Sequence, residues 1–439
     1  MTDWRRGAGP HRASSPERRS VPGMVTVSRT GVAVVGGGPA GVVLGLLLAR
    51  AGIAVRVVEK HDDFNRDFRG DTVHASTIRL LDELGLGDRF RALPQSRLDD
   101  FSLPMPDGSR ALLGDFSRLR PPYDHVAMVP QWDLLDMLVT AARHEASFSI
   151  SMGLAASGTI EENGVVTGVH LRPYRDHDGD AEELRADVVI ACDGRDSVLR
   201  NAAGLRPHAF PVPFDTWWFR LPREPRDAET ALVPAFSGTD VLLSFPRPDY
   251  HQVAYFAPKG SDAALRAEGL AAFRDRVARL RPDFAGRVDA ITSMDDVHVL
   301  DVRMDRLGRW WRPGLLCIGD AAHAMSPAGG VGINLAVQDA VATAAILVPA
   351  LRRGLRGAGL DGALAAVQRR RSAPAAIVQA AQAVLHRVVF ERAFAGALQA
   401  GPPKLPVLLA RWVPPVRGAY ARGIAFGPLP EHAPAWARR

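Results

Sequence analysis

Short apolar runs that stop at glycine or at an acidic residue punctuate this chain. Val32–Val35 runs into Gly36-Gly37-Gly38-Pro39-Ala40-Gly41 and then into an apolar stretch from Val42 to Ala51. That order predicts strand, tight turn and helix. A second strand, Ala54–Val58, ends at Glu59. Ala75–Leu84 reads as a helix that Ser76 or Thr77 can cap and Gly85 can end. Residues 100–128 mix short apolar pieces with Pro104, Pro106, Gly108, Pro121 and Pro122, which predicts hairpins and loops. In Trp132–Ala146 the residues Trp132, Leu135, Leu138, Val139 and Ala142 recur at helical spacing. A strand meander follows over Ile150–Arg172, turning at Glu161-Glu162-Asn163-Gly164, and Val188–Ala191 is a buried strand leading into Cys192-Asp193-Gly194.

The texture changes between residues 206 and 300. Thr216–Leu221, Val241–Pro246, Gln252–Ala257 and Val297–Val302 read as strands rich in aromatic and β-branched residues, with a helix at Ala263–Leu280. The first texture resumes at Leu315–Ile318, Gly319-Asp320 and a long helix from about Gly332. The expectation is an α/β chain with a discontinuous, Rossmann-like lobe (29–100, 125–205 and 301–350). A mostly antiparallel sheet lobe (101–124 and 206–300) is inserted into it, behind a disordered basic leader (1–28) and ahead of a helical C-terminal region (351–439).

Charge narrows the partners. The net charge is +6 over 439 residues, and the leader alone holds Arg5, Arg6, Arg12, Arg18 and Arg19 against Asp3 and Glu17. Lys60, Lys259 and Lys404 are the only lysines, and the arginines are scattered rather than striped, which argues against nucleic acid. The leader lacks the apolar core of a secretory signal, and no apolar run approaches the ~18 residues of a membrane span. Cys192 and Cys317 have neither metal-ligand nor dithiol spacing, so no metal site is expected. The chain reads as a cytoplasmic enzyme.

Residues 36–41 carry the clearest chemistry. Gly36 permits the tight turn, Gly38 lets a pyrophosphate approach the main chain, and Gly41 lets helix and strand pack closely. The helix that starts at Pro39 and Ala40 offers unpaired N–H groups to phosphate. Glu59 lies roughly 20 residues beyond Gly36, the position from which a carboxylate accepts from an adenosine ribose. Gly36–Gly41, Asp193-Gly194 and Gly319-Asp320 each end an apolar strand, so all three turns can face one extended cofactor in the crevice at the strand ends.

Three motifs carry a family resemblance: GGGPAG with Glu59, the run Cys192-Asp193-Gly194-Arg195-Asp196-Ser197-Val198-Leu199-Arg200, and the run Gly319-Asp320-Ala321-Ala322-His323-Ala324-Met325-Ser326-Pro327. In their order and spacing the chain resembles the single-component flavoprotein aromatic hydroxylases, the class related to para-hydroxybenzoate hydroxylase. The resemblance spans about residues 30–350. It implies an FAD-binding domain, NAD(P)H as a transient donor, O2, and a hydrophobic, aromatic small-molecule substrate. In that class oxygen adds at the flavin C4a position, and the resulting hydroperoxide delivers one atom to the substrate.

The resemblance also implies a site. Gly36, Gly38, Pro39, Ala40, Gly41, Glu59 and Lys60 would hold the adenosine half of FAD, with Arg69, Gln131, Asp193, Arg195, Gly319 and Asp320 along the rest. Pro327 and Gly329 would lie near C4a. Gly330, Gly332, Ile333 and Asn334 would flank the ring, where the helix amides stabilise negative charge on the reduced flavin. Gln131 stands where many members carry arginine, and the surroundings of Arg69 match loosely. Asp193 and Arg195 also read as a simple turn ion pair. His74, His125, His298 and His323 read best as structural or solvent-facing, and Trp217, Trp218, Phe219 and Tyr255 as sheet core; strand alternation lets at most one of Trp217 and Trp218 line a pocket. A halogenase of this fold would need a tunnel lysine and a Trp-x-Trp-x-Ile-Pro signature, and Trp310-Trp311-Arg312-Pro313 does not match it. A flavin reductase of isoprenoid double bonds and a non-catalytic flavoprotein remain as alternatives.

Overall fold

A computed structural model describes residues 25–65, 71–104, 110–176, 180–225, 227, 233–396 and 414–439. The largest sheet has five parallel strands in the order Leu315–Cys317, Glu182–Ala191, Thr26–Val35, Val55–Val58 and Phe148–Ser151. Val32–Val34 and Val188–Ile190 are fully buried, the unbroken apolar pattern of strands covered on both faces. Trp311–Arg312 pairs antiparallel at one edge. The hairpin Leu154–Glu162/Val165–Pro173 joins the first half of Glu182–Ala191. Its turn holds Asn163 and Gly164 at positive φ, which matches the twist of the flanking strands.

One expectation is corrected at the start of the first strand. Thr26–Ser28, assigned to the leader, pair with Glu182–Leu184. The Ser28 hydroxyl donates to Glu182, whose carboxylate also receives the Arg56 guanidinium. These polar contacts hold the strand where no apolar pattern announces it. Residues 1–24 lie outside the described residues.

The helices are α1 (Pro39–Arg50), α2 (Ala75–Glu83), α3 (Gly87–Arg91), α4 (Gln131–Ala142), α5 (Val198–Ala202), α6 (Asp262–Leu280), α7 (Gly332–Arg352) and α8 (Asp361–Leu385). Helix α1 is buried from Ala40 to Ala49 and packs against both α4 and α7. No side chain caps α2. Its N-cap is His74, and the Thr77 hydroxyl turns instead to Asn334 on α7. Contrary to the sequence expectation, α7 and the stretch Gly357–Phe394 are long and apolar enough to cross a bilayer; the apolar window of α7 is 83% buried inside the protein.

A second sheet of five antiparallel strands runs Val233–Ser237, Asp240–Pro246, Tyr250–Pro258, Phe214–Pro222 and His298–Leu300. Period-two alternation divides its faces. Trp217, Phe219, Leu242 and Tyr255 pack against Phe273 and Val277 of α6. Trp218, Phe214, Val241 and Phe256 face the other way, towards Ala328 and Phe390. The hairpin Asp100–Pro104/Arg110–Asp115 pairs within itself rather than with these strands, and packs against the C-terminal helix Pro414–Phe426. Beyond α8 the chain passes through a π-helical turn, His386–Glu391.

Candidate cofactor and active site

The first turn is closed by its glycines. Gly36 has φ +107°, and a Cβ there would lie 2.2 Å from the Cys192 carbonyl oxygen. A Cβ on Gly41 would lie 1.9 Å from the Gly36 oxygen. Both glycines answer to the protein's own packing. Gly38 does not. It is the N-cap of α1, and a Cβ there meets nothing within 4 Å. The open space lies beside the first amides of α1, which have no carbonyl within the helix to bond. Glu59 is buried, and its carboxylate accepts from the Gly37 amide at 2.8 Å and the His61 amide at 3.0 Å.

The other two strand-end turns arrive at the same place. The Cys192 amide donates to the Val35 carbonyl, the Gly36 amide to Val58, and the Ile318 amide to Ala191. Gly319 sits between α1 and α7, where an added Cβ would be 3.5 Å from that of Ala40 and 3.3 Å from that of Ala336. Its amide donates to Asp339, a carboxylate with no exposed surface.

Asp193 and Arg195 are not a turn pair, which corrects one of the two sequence readings. The Asp193 carboxylate accepts from the Ser197 hydroxyl and the Leu199 amide, so it braces the start of α5, whose N-cap is Ser197. Burial still raises it above the usual carboxylate range. Arg195 crosses instead to the third turn, donating to Asp320 at 3.2 Å and to the Met325 carbonyl at 3.1 Å.

The loop after Asp320 is held from two sides. Pro327 and Gly330 close a turn through the Gly330 amide, with Gly329 at φ +83° and Gly330 at φ +63°. The Thr72 hydroxyl donates to the Gly330 carbonyl at 2.7 Å. Gly332 and Ile333 begin α7, and Asn334 follows them. Its Oδ1 accepts from the His74 amide and the Thr77 hydroxyl, while its buried Nδ2 has no partner among the described residues. From the opposite side α8 presents Gln379 and Gln382, and His386 just beyond its end continues the same helical face. Gln379 donates to the Ala324 carbonyl, Gln382 to the Ser326 and Ala328 carbonyls, and His386 meets the Ser326 hydroxyl at 2.9 Å. Sequence reasoning missed this row, although glutamine, glutamine and histidine at spacings of three and four in the otherwise apolar stretch 373–386 were there to be read.

The remaining candidates have other partners. Lys60 is exposed, its ammonium 5.4 Å from the Tyr174 ring centroid. Arg69 falls outside the described residues. Gln131 opens α4, and its amide donates to the Asp71 carboxylate, which also pairs with buried Arg247. His323 and Arg371 both bind Asp339, at 2.6 and 2.9 Å; they offset the burial of its carboxyl and hold it below the ordinary range. His74 is buried with Nδ1 2.8 Å from the Ile424 carbonyl, His125 lies beside Asp124, and His298 is exposed. Among the described residues no cluster of His, Cys, Asp or Glu could hold a metal.

The model of the FAD binding domain family matches residues 29–381. The 6-methylpretetramide 4-monooxygenase of Streptomyces rimosus is 35% identical over 406 residues, which span 91% of this chain and 93% of that enzyme. The chain belongs to the FAD-dependent aromatic hydroxylases. The 3-demethoxyubiquinol 3-hydroxylase of Escherichia coli is 27% identical to this hydroxylase, over 75% of its chain and 82% of the relative. In fold it matches PqsL of Pseudomonas aeruginosa, solved with 2-aminobenzoylacetate, at a TM-score of 0.70 and 23% identity. That match covers 84% of the hydroxylase and all of PqsL. The hydroxylase is therefore an FAD-dependent monooxygenase with NAD(P)H as donor. Its residues suit that cofactor: the space at Gly38 admits a phosphate, and the unpartnered Asn334 amide is a donor awaiting a carbonyl.

Proposed function

We propose that this hydroxylase places one oxygen atom on a fused-ring aromatic of the polyketide kind, held where the loop Ser326–Gly330 meets the face of the antiparallel sheet turned away from α6. One observation carries the reading. Ala328 packs in the same apolar cluster as Phe214, Val241 and Phe256, so the loop assigned to the flavin ring abuts an apolar, aromatic wall. The relative at 35% identity is named for its action on 6-methylpretetramide. We take the enzyme to work in the cytoplasm, where NAD(P)H is supplied.

Bound FAD would supply the redox chemistry, accepting a hydride from NAD(P)H and activating O2. The chain's own residues would do the rest. Gly38 and the first amides of α1 would receive the pyrophosphate, and Glu59, already fixed by two backbone amides, would accept from the adenosine ribose. Asp320, oriented by Arg195, would accept from the ribityl hydroxyls. The amides of Gly332, Ile333 and Asn334, at the positive end of α7, would stabilise negative charge beside them. Phe214, Val241 and Phe256 would keep water from the reacting atoms.

The experiment is to give the purified yellow protein NADH or NADPH, 18O2 and hydroxyanthraquinones. The expected result is faster NAD(P)H oxidation and a product carrying one 18O atom. A product labelled from water, or a reduced product without added oxygen, would overturn the proposal.

A further inference from the structure

His386 is the one member of the α8 row that leaves a ring nitrogen unused. Gln379 donates to the Asp305 and Ala324 carbonyls and accepts from Arg306; Gln382 accepts from the Ser326 amide and donates to the Ser326 and Ala328 carbonyls. His386 is 2% exposed, and its Nδ1 is buried without a partner among the described residues.

The contact with Ser326 admits the tautomer in which Nε2 accepts and Nδ1 carries the proton. The Ser326 hydroxyl oxygen accepts from the Ala328 amide at 3.2 Å and lies 2.9 Å from the His386 Nε2, which leaves its own proton free to go to that nitrogen. Burial lowers the imidazole pKa to about 4, so the ring is neutral at pH 7. A neutral ring that accepts at Nε2 carries its proton on Nδ1. In that tautomer an N–H donor is buried with no acceptor among the described residues, an arrangement that is expensive unless a ligand completes it.

Its surroundings say what the ligand is. The imidazole meets Phe214 of the sheet edge-on, with centroids 5.2 Å apart, and Phe390 at 6.1 Å. Phe214 and Phe390 are themselves stacked at 4.2 Å. Both belong to the cluster that holds Ala328. The ring also sits at the first residue of the π-helical turn, a distortion often found where a side chain is aimed for function.

We propose that His386 is a substrate-orienting residue: its Nδ1–H donates to an oxygen acceptor on the aromatic substrate, a ring carbonyl or an ionised hydroxyl. Ser326 holds the imidazole in the donating tautomer and ties it to the loop beside Pro327. The enzyme thereby distinguishes oxygen-bearing aromatics from plain hydrocarbons of the same shape. This rests on the substrate location proposed above.

The test uses FAD-loaded enzyme carrying His386→Asn or His386→Gln, with 1,8-dihydroxyanthraquinone and anthracene as probes in the same co-solvent. An asparagine amide branches where Nδ1 does, and a glutamine amide reaches where Nε2 does. Dissociation constants are read from the change in flavin absorbance, alongside FAD content and melting temperature. The expected result is that His386→Gln weakens the anthraquinone roughly ten-fold or more, as loss of a buried hydrogen bond implies. His386→Asn should stay within a few-fold of wild type, and neither variant should alter anthracene binding. The reverse order, with Asn impaired and Gln unaffected, makes His386 a brace for the Ser326 loop and overturns the proposal. Equal losses for both probes overturn it likewise. Wild-type enzyme that binds neither probe overturns the substrate location and this proposal with it, whereas the variant results bear on the proposal alone.

Discussion

Arg195 spans the second and third strand-end turns, its Nε donating to the Asp320 carboxylate at 3.2 Å and its Nη2 to the Met325 carbonyl at 3.1 Å. That position makes it a brace for the proposed flavin site, although its Nη1 is left without a partner among the described residues. Arg195→Ala is expected to weaken FAD binding. Both side chains of the pair are partly exposed, so the loss should be modest, about 1 kcal/mol or several-fold in Kd. Titration of apoprotein with FAD, followed by flavin fluorescence, measures it. If FAD affinity is unchanged while the rate of reduction by NAD(P)H falls, Arg195 belongs to nicotinamide docking instead.

Gly38 and Gly41 separate binding from folding. A side chain at Gly38 enters open space, so Gly38→Val should leave the protein folded and soluble but colourless. At Gly41 even a methyl group would fall 1.9 Å from a backbone oxygen, so Gly41→Ala should not accumulate as soluble protein. Circular dichroism and released flavin on the two purified variants decide it. A yellow Gly38→Val variant would remove the phosphate from this turn.

Much of this was legible in the sequence because local rules carried it. The apolar runs ending at Gly36, Asp193 and Asp320 are readable as strand ends, and Gly36 and Gly41 are required by contacts within one strand–turn–helix unit. What escaped was non-local. Thr26–Ser28 form a strand only because Glu182 and Arg56 meet them. Arg195 pairs with a residue 125 positions away rather than with its near neighbour Asp193. Gln379, Gln382 and His386 acquire meaning only when α8 lies across the loop Ala324–Ala328. Trp217 and Trp218 fall between these cases: alternation puts them on opposite faces, but only the packed α6 says which of the two lies under it.

His386 also makes stability depend on pH. In the folded protein it stays neutral down to about pH 4; in the unfolded chain histidine takes up a proton near pH 6.5. Between those values the unfolded state binds more protons, so stability falls as pH falls through this window. From pH 7 to pH 5 this one residue should account for a loss of about 2 kcal/mol. Urea unfolding of wild type and His386→Phe at both pH values tests it. The phenylalanine variant, which keeps the aromatic contacts with Phe214 and Phe390, should lose correspondingly less on acidification. Equal losses in the two proteins would mean that the imidazole is solvated in the fold.

Trp217 and Trp218 are adjacent on one strand and should answer mutation in opposite ways. Trp217 has no exposed surface, packs under α6 and donates from its indole to Asp262 at 2.7 Å. Trp217→Phe leaves a cavity and removes the indole hydrogen bond, although Arg266 still pairs with Asp262, and it should lower stability by about 2 kcal/mol and shift the melting temperature by several degrees. Trp218 lies on the other face, stacked on Phe245 with centroids 6.0 Å apart, and its buried indole N–H has no partner among the described residues. Trp218→Phe should keep the wild-type melting temperature and instead change the affinity for fused-ring aromatics, read from flavin absorbance in the loaded enzyme. If Trp218→Phe melts early while binding is untouched, the sheet's second face is filled by protein alone. The substrate would then have to lie elsewhere along the loop that follows Asp320.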